Sequence, residues 1–155
     1  MLDVKTGMEL WRHPRNSYPF LSVGFRPDGN VIATGSQDTS ISLWNAQTGI
    51  ESARLNGHHS YVDAVAFSPS GSKLVSWARD GQLFPWDLSS STPKPTLLGV
   101  TTGGAAFSPD GRWIASGSTL GTVLLWDATT QTKARVFSAD PQPKPSQENL
   151  PCKSN

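Results

Sequence analysis

VAFSPSGSKLVSWARDGQLFPWD, residues 65–87, decides how this chain is read. It falls into three short apolar runs separated by two turns. In SPSG (68–71), Pro69 fixes one backbone angle and Gly71 supplies conformational freedom. Arg79, Asp80 and Gly81 make a tight hairpin turn before a run that ends in Trp86 and Asp87. The pattern occurs twice more, as VGFRPDGNVIATGSQDTSISLWN (23–45) and AAFSPDGRWIASGSTLGTVLLWD (105–127). Phe25, Phe67 and Phe107 stand 42 and 40 residues apart, and so do Trp44, Trp86 and Trp126. Each Phe precedes its Trp by 19 residues. The length variation therefore falls between units, where loops belong.

Working outward from residues 65–87, YVDAVAF (61–67) alternates as a half-buried strand does. KLVSWA (73–78) and QLFPWD (82–87) are the second and third strands of the unit, SSSTPKP (89–95) is a loop, and TLL (96–98) a short fourth strand. The other two units follow the same plan. A period of about 40 residues built from four strands is the sequence signature of a repeat architecture.

These units resemble the tryptophan–aspartate (WD) repeats of the β-propeller family. The resemblance covers roughly residues 2–137. It rests on the period, the turn residues and the endings Trp86-Asp87, Trp126-Asp127 and Trp44-Asn45, with Gly57 and His58 ahead of the second unit. It implies an all-β fold: an open or incomplete propeller segment of three four-stranded antiparallel blades, about 14–55, 56–98 and 99–137. Residues 1–13 align with the end of a preceding repeat and would leave one extra N-terminal strand. Closed propellers need 4–8 blades, so three is a deficit. Residues 138–155, rich in proline and polar side chains, read as a disordered tail.

Family members hold each blade with a buried chain of His, Ser or Thr, Asp and Trp. Carried over by position, this gives His58, Ser76, Asp80 and Trp86 in the second unit. The first keeps Thr34, Asp38 and Trp44, with Asn16 at the His position. The third keeps Ser116 and Trp126, with Leu98 and Leu120 at the His and Asp positions, and should rely on apolar packing. Pro85 stands inside a strand, and Trp77 replaces the small Gly35 and Gly117. A distorted or loose second blade is the expectation.

Binding in such folds uses loops on one face and the central channel. The positions there are Leu21 and Gln37, then Tyr61, Asp63 and Arg79, then Thr101 and Thr119. Tyr61 and Arg79 lead, because Tyr and Arg are enriched where interfaces concentrate their energy.

Composition narrows the rest. Charged residues make up 16% against about 25% in an average globular protein, and the net charge is +1. No basic excess is available to neutralise phosphates, so nucleic acid is not an expected partner. Cys152 is the single cysteine and cannot form an internal disulfide. No window of 18 apolar residues appears, and MLDVKTGMEL lacks the apolar core of a signal peptide. An intracellular setting, cytoplasm or nucleus, follows as the default. No phosphate loop, nucleophile elbow or ligand cluster is visible, and adjacent His58 and His59 would point to opposite sides of a strand. The expectation is a non-catalytic scaffold, without metal or cofactor, that binds proteins or peptides through its loops. Self-association through open, apolar blade faces is also expected. The alternatives are a regulatory propeller part of a larger enzyme or signalling NTPase, and a truncated gene product without independent function.

Overall fold

Each 23-residue unit becomes the inner three strands of a blade, and the connection after it supplies the fourth. The computed structural model describes residues 1, 5–12, 18–118 and 120–138. The first blade holds β1 (Phe20–Phe25), β2 (Val31–Ser36), β3 (Ile41–Asn45) and β4 (Glu51–Leu55). The second holds β5 (Val62–Phe67), β6 (Lys73–Ala78), β7 (Gln82–Asp87) and β8 (Gly99–Val100). The third holds β9 (Ala105–Phe107), β10 (Trp113–Gly117), β11 (Thr122–Asp127) and β12 (Lys133–Ser138). Each blade is a four-stranded antiparallel meander in chain order, and no helix occurs among the described residues. Gly29, Gly71 and Gly111 all take φ between 72° and 75° at the first turn of their unit, a conformation glycine adopts without steric cost.

The blades stack through their inner strands, β1 against β5 and β5 against β9. Antiparallel strands alternate their side chains, so each blade has two faces. One face of the first blade presents Ala33, Ile41 and Leu43, and these pack on Leu74, Phe84 and Trp86 of the second. The second blade in turn places Val75 and Leu83 against Ile114 and Trp126 of the third. Burial of these inter-blade faces stabilises the stack by about 25 cal/mol per Å² of apolar surface removed from water.

The expected looseness of the second blade is confined to its outer edge. Pro85 is buried and keeps its place in the ladder, opposite Val75 of β6. Leu83 turns its carbonyl outward to accept from the Leu98 amide at 2.9 Å. A residue two positions on faces the same neighbour, so the side of Pro85 that lacks an N–H also faces outward. Accordingly β8 shrinks to Gly99–Val100, and residues 96–98, expected as the fourth strand, lie outside it.

Trp77 is accommodated by its neighbour. In the first blade the same position is Gly35, where an added Cβ would stand 2.6 Å from the Val62 carbonyl oxygen. Opposite Trp77, β9 has only three residues and follows Gly103 and Gly104, which leaves room for the indole. The indole N–H donates to the Thr101 carbonyl at 3.1 Å, in the connection from β8 to β9, and Trp77 packs on the cluster that the second blade shares with the third.

Of the expected extra N-terminal strand, the described residues show an isolated bridge at Glu9. Trp11 instead packs on Ile32, Trp44 and Ala46, and its indole N–H donates to the Ala46 carbonyl at 2.8 Å. Lys73 does the equivalent at the other junction, with Nζ donating to the Ala128 carbonyl at 2.6 Å. Residues 139–155, including Cys152, lie outside the described residues.

Candidate functional site

His58, Ser76, Asp80 and Trp86 come from four parts of the second blade, the loop before β5, β6, the β6–β7 turn and β7, and meet in one line. Trp86 and Ser76 share one face of β7 and β6, with the indole N–H donating to Ser76 Oγ at 2.8 Å. Ser76 Oγ lies 2.7 Å from His58 Nε2, and His58 Nδ1 lies 3.3 Å from Asp80 Oδ2. Trp86 can only donate, so the hydroxyl proton of Ser76 is free to go to His58 Nε2. That fixes the imidazole with its proton on Nδ1, pointing at Asp80. Burial lowers the His58 pKa and prevails over the opposing attraction of Asp80. Burial is the largest single influence on Asp80 and pushes its pKa up. The amides of His59 and Gln82, with His58, outweigh it and hold the carboxylate below its ordinary range. A neutral imidazole between a serine and an anchored carboxylate could in isolation be catalytic. Here His58 and Ser76 are buried under Phe84 and Trp86, closed to a substrate.

The other blades keep parts of this chain. Trp44 donates to Thr34 Oγ1 at 2.8 Å, and Trp126 to Ser116 Oγ at 3.1 Å. Asp38 accepts from the Ser40 amide and hydroxyl and lies 3.5 Å from Arg54. Ser42, Glu51 and Arg54 extend that group, which the repeat alignment did not single out. In the third blade Leu98, at the histidine position, is buried beside Trp126, while Leu120 is exposed.

The candidate loop residues divide sharply. Exposed Tyr61 and Arg79 cluster with the half-buried Asp63, with the Arg79 guanidinium 5.2 Å from the Tyr61 ring centre and Arg79 Nε 2.8 Å from Asp63. Asp63 is the extra residue of a β-bulge between Val62 and Ala64, and Leu21 occupies the matching bulge of β1. A bulge re-aims one side chain out of the alternation. The Gln37 amide donates to the Pro19 carbonyl, as the Arg79 amide does to Tyr61, which closes the two hairpins alike. Thr101 is buried, with its amide given to Gly81, its hydroxyl to Gly103 and its carbonyl to Trp77, so it offers a partner no free group. Thr119 and Asn16 lie outside the described residues. No group of three or more His, Cys, Asp or Glu side chains suited to a metal ion occurs among the described residues. Among the described residues, no helix is long and apolar enough to cross a membrane.

The model of the family described as WD domain, G-beta repeat matches residues 9–45, 49–87 and 98–127, more than half of the chain. The chain belongs to the WD40-repeat family. Each match ends on the last residue of a blade's third strand, at Asn45, Asp87 or Asp127. Among curated proteins, the WD40 chain is similar to the Small ribosomal subunit protein RACK1y of Oryza sativa, with 41% identity over 63 residues, 41% of this chain and 19% of that protein. It is 37% identical over 83 residues to the Nuclear distribution protein PAC1 of Arthroderma benhamiae, covering 52% of this chain and 18% of the relative. It is 38% identical over 84 residues to Topless-related protein 2 of Arabidopsis thaliana, covering 54% and 7%. The WD40 chain thus spans less than a fifth of the length of each of these relatives.

Proposed function

We propose that this WD40 chain is a non-catalytic scaffold that binds a protein or peptide at the loop cluster of its second blade. The observation that carries the reading is the grouping of Tyr61, Asp63 and Arg79 on an exposed bulge and hairpin. The cluster offers an aromatic face, a guanidinium and a carboxylate held in fixed geometry by one another, so little side-chain freedom is lost on binding. The rigid blade beneath it, with its buried hydrogen-bonded chain, serves to hold the cluster still. The test is selection of binders from a random peptide library on the immobilised chain. The selected peptides are then measured against Tyr61→Ala and Arg79→Glu. A loss of at least tenfold in affinity with both variants is expected; peptides that bind both unchanged would sink the proposal.

A second reading is favoured by the small share of each relative that the chain spans. In it, the same blades are the regulatory propeller of a larger enzyme or signalling NTPase, and the loop cluster has the same role. A decayed product is less well supported, since Pro85 and Trp77, the irregularities that suggest one, are each accommodated by their surroundings.

A further inference from the structure

The faces at the two ends of the stack are complementary copies of the faces already joined inside it. On the third blade, Ala115, Gly117, Val123 and Leu125 occupy the positions that Ala33, Gly35, Ile41 and Leu43 hold on the first. In the first blade this face is covered by the second, and Ile41 is 0% exposed. In the third it is bare, and Val123 is 47% exposed. A Cβ on Gly35 would stand 2.7 Å from a Val62 methyl group, whereas a Cβ on Gly117 would meet nothing within 4 Å. A shallow depression of about 370 Å³ lies there, lined by Ala106, Ala115, Gly117 and Val123 among others.

The opposite end supplies the matching surface. Phe20, Val23 and Phe25 of β1 stand where Val62, Val65 and Phe67 of β5 stand. In β5 those residues are buried or half-buried against the first blade; in β1, Val23 is 66% and Phe25 54% exposed. On this face Trp11 packs on Ile32, Trp44 and Ala46 and Phe20 meets Trp44 edge-on, while Val23 and Phe25 of β1 stay exposed.

We propose that two copies of this chain associate head to tail, the β1 face of one seated on the β10–β11 face of the other, in the register that joins the first blade to the second. The occupant is a second copy because the two end faces of one chain repeat, position by position, the two halves of the interface that joins the first blade to the second, and Val23, Phe25 and Val123 on them are exposed. A head-to-tail contact closes into a ring when its rotation allows. Two copies make six blades, within the range of closed propellers.

The test is the mass in solution of the 155-residue chain, with two variants. Val23→Arg alters the β1 face and Gly117→Val the β10 face, both at positions whose side chains stand in the open, so each variant keeps the circular dichroism of the parent. The expected mass is twice 16.7 kDa for the parent. Each variant alone is expected to dissociate at least tenfold more readily, and an equimolar mixture recovers the pair because each copy retains one intact face. A single-chain mass for the parent at every concentration overturns the proposal. So does a pair that either substitution leaves unchanged, because association through only one of the faces is not head to tail.

Discussion

Ser76 makes two hydrogen bonds with one oxygen, accepting from Trp86 and serving His58. Its removal leaves two buried polar groups unpaired, each costing about 1–3 kcal/mol. Ser76→Ala should therefore lower the urea-unfolding free energy by about 2–4 kcal/mol; a change within error would show that the chain contributes little. His58 adds a pH dependence. Burial lowers its pKa, so the unfolded imidazole, which titrates near pH ~6.5, takes a proton before the folded one does. Its contribution is complete above that pH and is lost as the pH falls through the folded value. Asp38 and Asp80 are depressed carboxylates, so their contributions are lost only below about pH 4, in a separate step. Urea midpoints between pH 7.5 and 5 should fall for the parent and stay flatter for His58→Gln. Parallel slopes would show that His58 does not govern this range.

At the level of the element, the two irregular residues of the second blade behave differently. Pro85 faces its missing donor toward the shortened β8, so Pro85→Leu restores an N–H without a strand to receive it. The variant also gains unfolded-state freedom, so it should be no more stable than the parent, and less stable by about 0.5 kcal/mol. A clear gain in melting temperature would contradict this account. Trp77 bridges two blades, and Trp77→Ala should cost about 3 kcal/mol through the cavity it opens. The strands themselves were largely legible in the sequence, because alternation and turn residues are local. What was not legible follows from neighbours in space. Residues 96–98 are apolar enough for a strand, but their ladder is denied by Pro85 across the hairpin. Thr101 was expected on the loop face because its position in the unit is a loop. It is buried where its amide bonds to Gly81 and its carbonyl accepts from the indole of Trp77 on β6. The bulges that turn out Leu21 and Asp63 leave no mark in the repeat pattern.

For the whole molecule, the second blade belongs to both inter-blade clusters while the outer strand β12 is exposed along its length. Repeat arrays derive stability from nearest-neighbour contacts, so protection should follow that order. Native-state hydrogen exchange should find the slowest amides in β6 and β7 and the fastest in β12. Uniform exchange across the three sheets would mean that the blades unfold as one unit. The amino-acid sequence by itself determined the repeat, the number of units, the turns and the tryptophan–hydroxyl pair of each blade, because each depends on residue type at fixed spacing. Only the tertiary structure decided which faces are buried and which stand bare, and how Trp77 and Pro85 are accommodated. It also decided that Tyr61, Asp63 and Arg79 meet. Those outcomes depend on volume and on groups brought together from separate strands, and a periodic pattern carries no record of either.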